Sequence, residues 1–137
     1  MSNISMDVHA ITFDADSNSP ILILKEKNGE RILPIWIGLL EATAIATQIE
    51  KIEFARPMTH DLTVNLLKKM EIEIPMIRIS DLKDNTYYAL ITLRQGDREL
   101  TVDARPSDAV AIALRTKAQI FVNDFVLNKI KPTKETV

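Results

Sequence analysis

The sequence contains no cysteine and only three glycines, and these shortages exclude several classes of protein. Without cysteine there is no disulfide, no thiolate nucleophile and no cysteine-ligated zinc. None of the glycine-rich phosphate loops or dinucleotide fingerprints occurs either. The longest purely apolar run has six residues, 109–114, against the ~20 needed to cross a bilayer. The first residues also lack a secretory signal. We therefore predict no membrane contact and a cytoplasmic location.

Neither sign of charge dominates the chain. Nineteen acidic and seventeen basic residues give a net charge of -2, which offers no bulk attraction to a polyanion. Any nucleic-acid binding must therefore be weak and local. Two regions could supply it, the five arginines between positions 78 and 115 and the tail lysines Lys129, Lys131 and Lys134. A single surface arginine is, however, most often only solvated.

Hydrophobic periodicity and turn signals predict an α+β domain over residues 1–130, followed by a polar, mobile tail at 131–137. Alternating apolar positions and turn residues indicate about seven strands in an antiparallel or mixed sheet. Three main helices interrupt them, and the expected order is βββ-αα-βββ-α-β. No segment resembles a linker, so we expect a single domain.

Individual residues predict several local features of the strands and of the second helix. The change of strand parity near Ala10 predicts either a bulge or a strand buried on both faces, and the change at Pro75-Met76 predicts a bulge. Pro34 predicts that the third strand is an edge strand or is bulged there. In the second helix Thr59 is the expected N-cap, and residues at spacing four are expected to face the core: Leu62, Leu66 and Met70.

The aromatic residues leave two alternatives open. Trp36 is expected in the core or an interface, with base stacking as the other possibility, and at most one of Tyr87 and Tyr88 can stack on a base.

One constellation occurs twice. Residues 55–61 read Ala-Arg-Pro-Met-Thr-His-Asp before the second helix, and residues 104–108 read Ala-Arg-Pro-Ser-Asp before the third. Each places an arginine, a proline, a hydroxyl and an aspartate at a helix start. Unpaired N–H groups and partial positive charge make a helix start an anion site, which predicts phosphate binding by Arg56, Thr59, Arg105 and Ser107. The alternative is that both motifs are only helix caps.

The same segments supply candidates for catalysis. His60, beside Asp61, is the better placed of the two histidines for proton transfer near neutral pH. Asp103 and Asp108 flank Arg105. Together with Glu41 they offer the oxygen ligands that Mg²⁺ or Mn²⁺ prefers, so they form the candidate metal site. Asp103 and Asp108 join His60 and Asp61 as the candidate catalytic residues.

The motifs at 56–62 and 102–111 closely resemble the bifunctional nuclease domain family, and the block Leu33-Pro-Ile-Trp-Ile-Gly38 resembles an earlier block of that family. The resemblance covers roughly residues 6–126. It implies a compact α+β domain and nuclease activity on DNA and RNA.

The leading hypothesis is therefore a metal-assisted nuclease. The alternative is a regulatory module without catalysis, in which the paired helix starts bind a small anion or a partner's carboxylate. In a third interpretation the motifs are caps, and function belongs to an oligomeric surface. Small size, edge strands and small residues on the first helix predict a homo-oligomer, with part of an edge strand or the first helix at the contact.

Overall fold

Seven strands and four helices make up the part of the chain, residues 2–130, that the computed structural model describes. In chain order the elements are β1 (Asn3–Asp14), β2 (Ser19–Glu26), β3 (Ile32–Trp36), α1 (Leu39–Ile49), α2 (Thr59–Lys69), β4 (Glu73–Lys83), β5 (Thr86–Gln95), β6 (Arg98–Ala104), α3 (Pro106–Thr116), β7 (Gln119–Asn123) and α4 (Asp124–Asn128). The predicted class and order are confirmed, and only the short α4 was not foreseen. None of the helices within residues 2–130 is long and apolar enough to cross a membrane. The tail predicted at 131–137 lies outside the described residues.

The strands form one mixed sheet in the order β3-β2-β1-β7-β4-β5-β6. Two antiparallel three-stranded units, β1-β2-β3 and β4-β5-β6, are joined by β7, which is antiparallel to β1 and parallel to β4. Pro34 lies on β3 at one edge of the sheet, as predicted, because a residue without an N–H group is tolerated there.

Both predicted bulges are present. The pairing of β1 with β2 shifts between Val8 and Ala10, and that of β4 with β5 shifts between Glu73 and Met76. The second bulge changes which face of the sheet each side chain meets. Ile74 and Ile77, which differ in parity, are therefore both buried.

The core lies between the sheet and α3. This helix packs on β4, β5 and β7, while α1 packs on α3 and β2 and α2 packs on α3. Its buried residues include the alanines at 109, 111 and 113, whose small side chains allow close approach. The ends of α1 are less covered than its apolar pattern suggests. Ala42 and Ile45 are buried, but Leu39 and Ile49 are exposed.

Two expectations for α2 were wrong. Leu62, Leu66 and Met70 do not face the core, because α2 packs mainly on α3 and buries only Val64 fully. The three side chains keep 52%, 58% and 62% of their surface exposed. Thr59 is the first helical residue rather than the N-cap, which is Met58. The backbone N–H of Met58 donates to Asp61 Oδ2 at 2.9 Å, so the side-chain contact at this helix start comes from the carboxylate three residues after the N-cap.

Candidate functional site

Three helices begin at one place in the molecule. Glu41 in the first turn of α1 accepts a hydrogen bond from Arg105, the residue before α3. His60 in the first turn of α2 is hydrogen bonded to Asp108 in the first turn of α3. Each helix start presents unpaired N–H groups and partial positive charge. The starts of α2 and α3, which follow the two Arg-Pro motifs, therefore lie together, and the start of α1 joins them.

Arg105 connects two carboxylates. Its Nε donates to Asp108 Oδ2 at 2.8 Å and its Nη2 to Asp108 Oδ1 at 3.2 Å, which forms a two-pronged pair. Its Nη1 donates to Glu41 Oε2 at 2.8 Å. The Arg105 side chain is 63% exposed, whereas the Glu41 and Asp108 side chains are largely covered. The guanidinium therefore holds two partly buried carboxylates while it remains open to a ligand.

Asp108 in turn orients His60. His60 Nε2 lies 2.9 Å from Asp108 Oδ1. Burial by itself would raise the pKa of Asp108, but hydrogen bonds from Arg105 and His60 outweigh burial and lower it. Asp108 is therefore ionised at neutral pH and accepts, so His60 Nε2 carries a proton. The other ring nitrogen, Nδ1, makes no hydrogen bond within residues 2–130 and is available for proton transfer.

A second ion pair fixes α2 on α3. Arg115 Nε donates to Asp61 Oδ1 at 2.7 Å, and Arg115 Nη1 donates to the Ala111 carbonyl at 2.9 Å. The backbone N–H of Met58, followed by Arg115, lowers the pKa of Asp61. The Arg115 side chain is only 8% exposed. Asp61 thus caps and clamps α2, and the carboxylate that holds His60 is Asp108 rather than its neighbour Asp61.

A cavity of about 340 Å³ lies against this network. The end of β3, the β4–β5 hairpin and the starts of α1 and α3 line it, through residues that include Trp36, Gly38, Glu41, Tyr87 and Arg105. Four strands separate β3 from β5 in the sheet order, so the sheet must curve to bring both to one cavity. A Cβ at Gly38 would collide with the Glu41 carboxylate, so glycine makes the room that Glu41 occupies.

The other predicted site residues are placed less centrally. Arg56 lies exposed in the loop before α2, and Thr59 is exposed at the helix start. Ser107 is buried in the first turn of α3 and lines the cavity. Asp103 is exposed on β6 and is not a partner of Arg105.

The predicted metal ligands are only partly together. Within residues 2–130 no group of three His, Asp or Glu side chains is close enough to hold a metal ion. Glu41 and Asp108 are neighbours because both contact Arg105. Mg²⁺ often takes one or two carboxylates and completes its shell with water and substrate phosphate. Glu41 and Asp108 fit that donor set, whereas Asp103 does not extend it to three.

Sequence comparisons match this chain to one family and to proteins of several organisms. The sequence profile of the bifunctional nuclease domain matches residues 22–135. Uncharacterized protein Rv1829 of Mycobacterium tuberculosis is 45% identical over 120 residues, which cover 88% of this chain and 71% of that protein. Bifunctional nuclease 2 of Oryza sativa subsp. japonica is 32% identical over 108 residues, 76% of this chain and 33% of that protein. Bifunctional nuclease 2 of Arabidopsis thaliana is 28% identical over 112 residues, 80% of this chain and 34% of that protein.

The fold and the site define an α+β domain whose helix starts surround a polar network beside a cavity. The matched segment contains all of that network. The chain belongs to the bifunctional nuclease domain family. It spans about a third of the length of the plant relatives that it matches.

Proposed function

We propose that this protein is a nuclease that hydrolyses phosphodiester bonds in DNA, RNA or both. The observation that carries the proposal is the linked set His60, Asp108, Arg105 and Glu41, in which a histidine is oriented by a carboxylate and that carboxylate by an exposed arginine. Membership of the family and the names of its plant relatives support the same activity.

In this proposal Arg105 and the helix starts bind a backbone phosphate. Arginine presents a planar fork that matches two phosphate oxygens. N–H groups of Arg105 that are not used by Glu41 and Asp108 remain for the ligand, and Ser107 lines the cavity beside it. Arg56 and Thr59, at the start of α2, would contact the neighbouring backbone.

His60 would transfer the proton. A water oxygen forms a bond to phosphorus while the bond from phosphorus to the leaving sugar oxygen breaks. His60 Nδ1 takes the proton that the water loses, and Asp108 stabilises the imidazolium that forms. The proton then passes to the leaving oxygen. Asp61 contributes by holding α2, and with it His60, against α3.

A divalent cation, Mg²⁺ or Mn²⁺, is part of the proposal. Glu41 and Asp108 would hold it, with Asp103 as the more distant third candidate. When bound it would supply Lewis-acid stabilisation of charge on the phosphate oxygens.

The test is cleavage of labelled single-stranded DNA and RNA by purified protein, with and without a chelator. His60→Ala should lower kcat by roughly 10²- to 10⁴-fold. The matched control is His9→Ala, because His9 is the other of the two histidines in the chain and is exposed on β1. Chelation should stop cleavage and added Mg²⁺ or Mn²⁺ should restore it. If His60→Ala cleaves as fast as His9→Ala, the activity does not come from this site.

The alternative is a binding module without turnover. It is favoured by the pairing of both carboxylates with Arg105, which is a stable arrangement without any substrate. A protein that binds the labelled strands, yet leaves them intact with either cation, would establish this alternative.

We further propose a homo-oligomer. The support is a run of large apolar side chains that α2 and the preceding loop leave exposed. A cytoplasmic location stays a prediction from the sequence, which cell fractionation would test.

A further inference from the structure

We propose that the cavity beside Arg105 binds one unpaired nucleotide of a single strand, with its base stacked on Trp36 and its phosphate bound by Arg105. This inference rests on the proposed function, because it names the form of nucleic acid that reaches the site. The observations that carry it are the position of Trp36, the second aromatic residue Tyr87 on β5, and the separation of apolar and charged walls.

Trp36 is an exposed tryptophan with a fixed orientation. It is the single tryptophan of the chain and ends β3 with 55% of its surface exposed, although tryptophans are on average highly buried. Its Nε1 donates to Asp14 Oδ2 at 3.0 Å. Asp14 also accepts from the Asp16 backbone at 3.0 Å, so the acceptor is itself held. The ring is therefore oriented without being covered, and it lines the cavity.

Tyr87 supplies a second aromatic wall. It is partly buried on β5 and lines the same cavity. Its neighbour Tyr88 points to the other face of the strand and lies against the Lys83 ammonium, 5.5 Å from the ring centre. Of the two tyrosines, Tyr87 is therefore the one available to a ligand in the cavity.

The remaining walls divide into apolar and charged parts. Ile35, Ile37 and Pro106 contribute apolar surface, while Glu41 and Arg105 contribute charge. A volume of about 340 Å³ is within the range of small-molecule sites, which begins near ~300 Å³. A flat apolar base joined to a charged phosphate matches both parts, whereas a free phosphate or a carboxylate would use Arg105 and leave the aromatic walls empty.

Stacking on Trp36 selects for single strands. In a duplex both faces of each base are covered by neighbouring bases, so an aromatic side chain can stack only on a base that has left the helix. Every base offers such a face, so stacking gives little sequence preference. The cavity should therefore discriminate between single and double strands more strongly than between bases.

The single tryptophan allows a direct measurement of binding in the absence of cleavage. Wild-type protein in chelator is titrated with a short oligothymidine, and Trp36 emission is recorded. We expect quenching by the single strand, little change with the same strand annealed to its complement, and little change with inorganic phosphate. Quenching of equal depth by the duplex would overturn the proposal.

Variants test how much Trp36 contributes to the affinity for a single strand. Affinity for a fluorescently labelled strand is measured by anisotropy, and Trp36→Ala should bind about tenfold more weakly, with Trp36→Phe close to wild type. The matched control is Phe13→Ala, because Phe13 is equally exposed but lies outside this cavity. Melting temperatures of the variants confirm that each is folded.

Quenching of Trp36 and cleavage of the strands test the nucleotide site and the nuclease activity separately. If Trp36 is quenched but no strand is cleaved with either cation, the nucleotide site stands and the nuclease proposal fails. If strands are cleaved while Trp36 emission and the affinity of Trp36→Ala are unchanged, the nuclease proposal stands and this inference is wrong.

Discussion

Arg105 neutralises only part of the negative charge of the site. It pairs with two carboxylates, Glu41 and Asp108, so the three side chains together carry one net negative charge. A phosphate would be repelled by that charge unless other groups compensate. The starts of three helices contribute roughly half a positive charge each, and a divalent cation would contribute more. Phosphate binding at this site would therefore need the helix starts, a cation or both.

Replacing Arg105 with lysine separates a structural role from a binding role. The side chain is 63% exposed, and an ion pair in such a position contributes about 1 kcal/mol or less to stability. We expect Arg105→Lys to melt within a few degrees of wild type. A lysine cannot contact Glu41, Asp108 and a phosphate through one planar fork. We therefore expect kcat/KM to fall by about 10- to 100-fold.

Arg98→Lys is the matched control for that measurement. Arg98 is an exposed arginine at the start of β6, and it forms no ion pair within residues 2–130. Both kcat/KM and the melting temperature of this variant should equal those of wild type. An Arg105→Lys protein that melts much lower yet cleaves normally would show that Arg105 serves only the fold.

At the scale of elements, α2 is positioned by an ion pair as well as by burial. It packs on α3 through a narrow strip centred on Val64, and the Asp61–Arg115 pair fastens its first turn. Since His60 lies beside Asp61, the same contact places His60 against Asp108. The carboxylate of Asp61 therefore holds the position of this turn, and His60 is left for the proton transfer that we propose.

This arrangement predicts a dependence of stability on pH. The pKa of Asp61 is lowered from its ordinary value of 3.8 by the Met58 N–H and by Arg115. A carboxyl with a depressed pKa in the folded state contributes stability that is fully present above the unfolded pKa and lost as pH falls through the folded value. Asp61→Asn should lower stability at pH 7 by on the order of 1 kcal/mol. The difference from wild type should shrink below pH ~4.

Thermal melts across pH 2.5 to 7 would check this, with Asp103→Asn as control. Asp103 is exposed on β6 and makes no ion pair within residues 2–130. Its variant should therefore follow the wild-type curve. A constant offset between Asp61→Asn and wild type at every pH would mean that the carboxylate charge has no part in holding α2.

The strands were predictable because their signals are local. Alternation of apolar residues, parity changes at bulges and turn residues such as Asn28-Gly29 act within a few positions of each other. The structure confirms the strands, both bulges and the edge position of Pro34. The starts of α1 and α3 follow in the same way, from the glycine and proline that precede or begin them.

Local patterns could not predict which side chains of α2 are buried. Periodicity identifies an apolar stripe, but it does not say whether the chain's own residues cover it. The partners of Arg105 and His60 also depend on the packing of α1, α2 and α3 against each other. Glu41 lies 64 residues from Arg105 and Asp108 lies 48 residues from His60. Trp36 and Tyr87 meet at the cavity only because the sheet curves.

At the scale of the whole molecule, one continuous stretch of chain carries an unusual exposed apolar surface. From the end of α1 to the end of α2 the exposed large apolar residues are Ile49, Ile52, Phe54, Met58, Leu62, Leu66 and Met70. Monomeric proteins seldom expose more than a few hundred Å² of contiguous apolar surface. A net charge of -2 gives little repulsion between copies. A second copy of this chain is therefore the occupant that we propose for this surface.

Three single substitutions would locate the contact between copies. Leu66→Glu places a charge in the middle of the α2 stripe, Leu40→Glu on the first helix and Leu100→Glu on the edge strand β6; all three leucines are exposed in one chain. We expect light scattering at micromolar concentration to show an oligomer for wild type and a monomer for Leu66→Glu. Burying an unpaired carboxylate in an apolar interface costs far more than the contact gains. The other two variants should stay oligomeric.

If only Leu40→Glu or only Leu100→Glu dissociates, the interface lies on α1 or β6 instead. If the wild type is a monomer, the proposal that a second copy covers the α2 stripe is wrong.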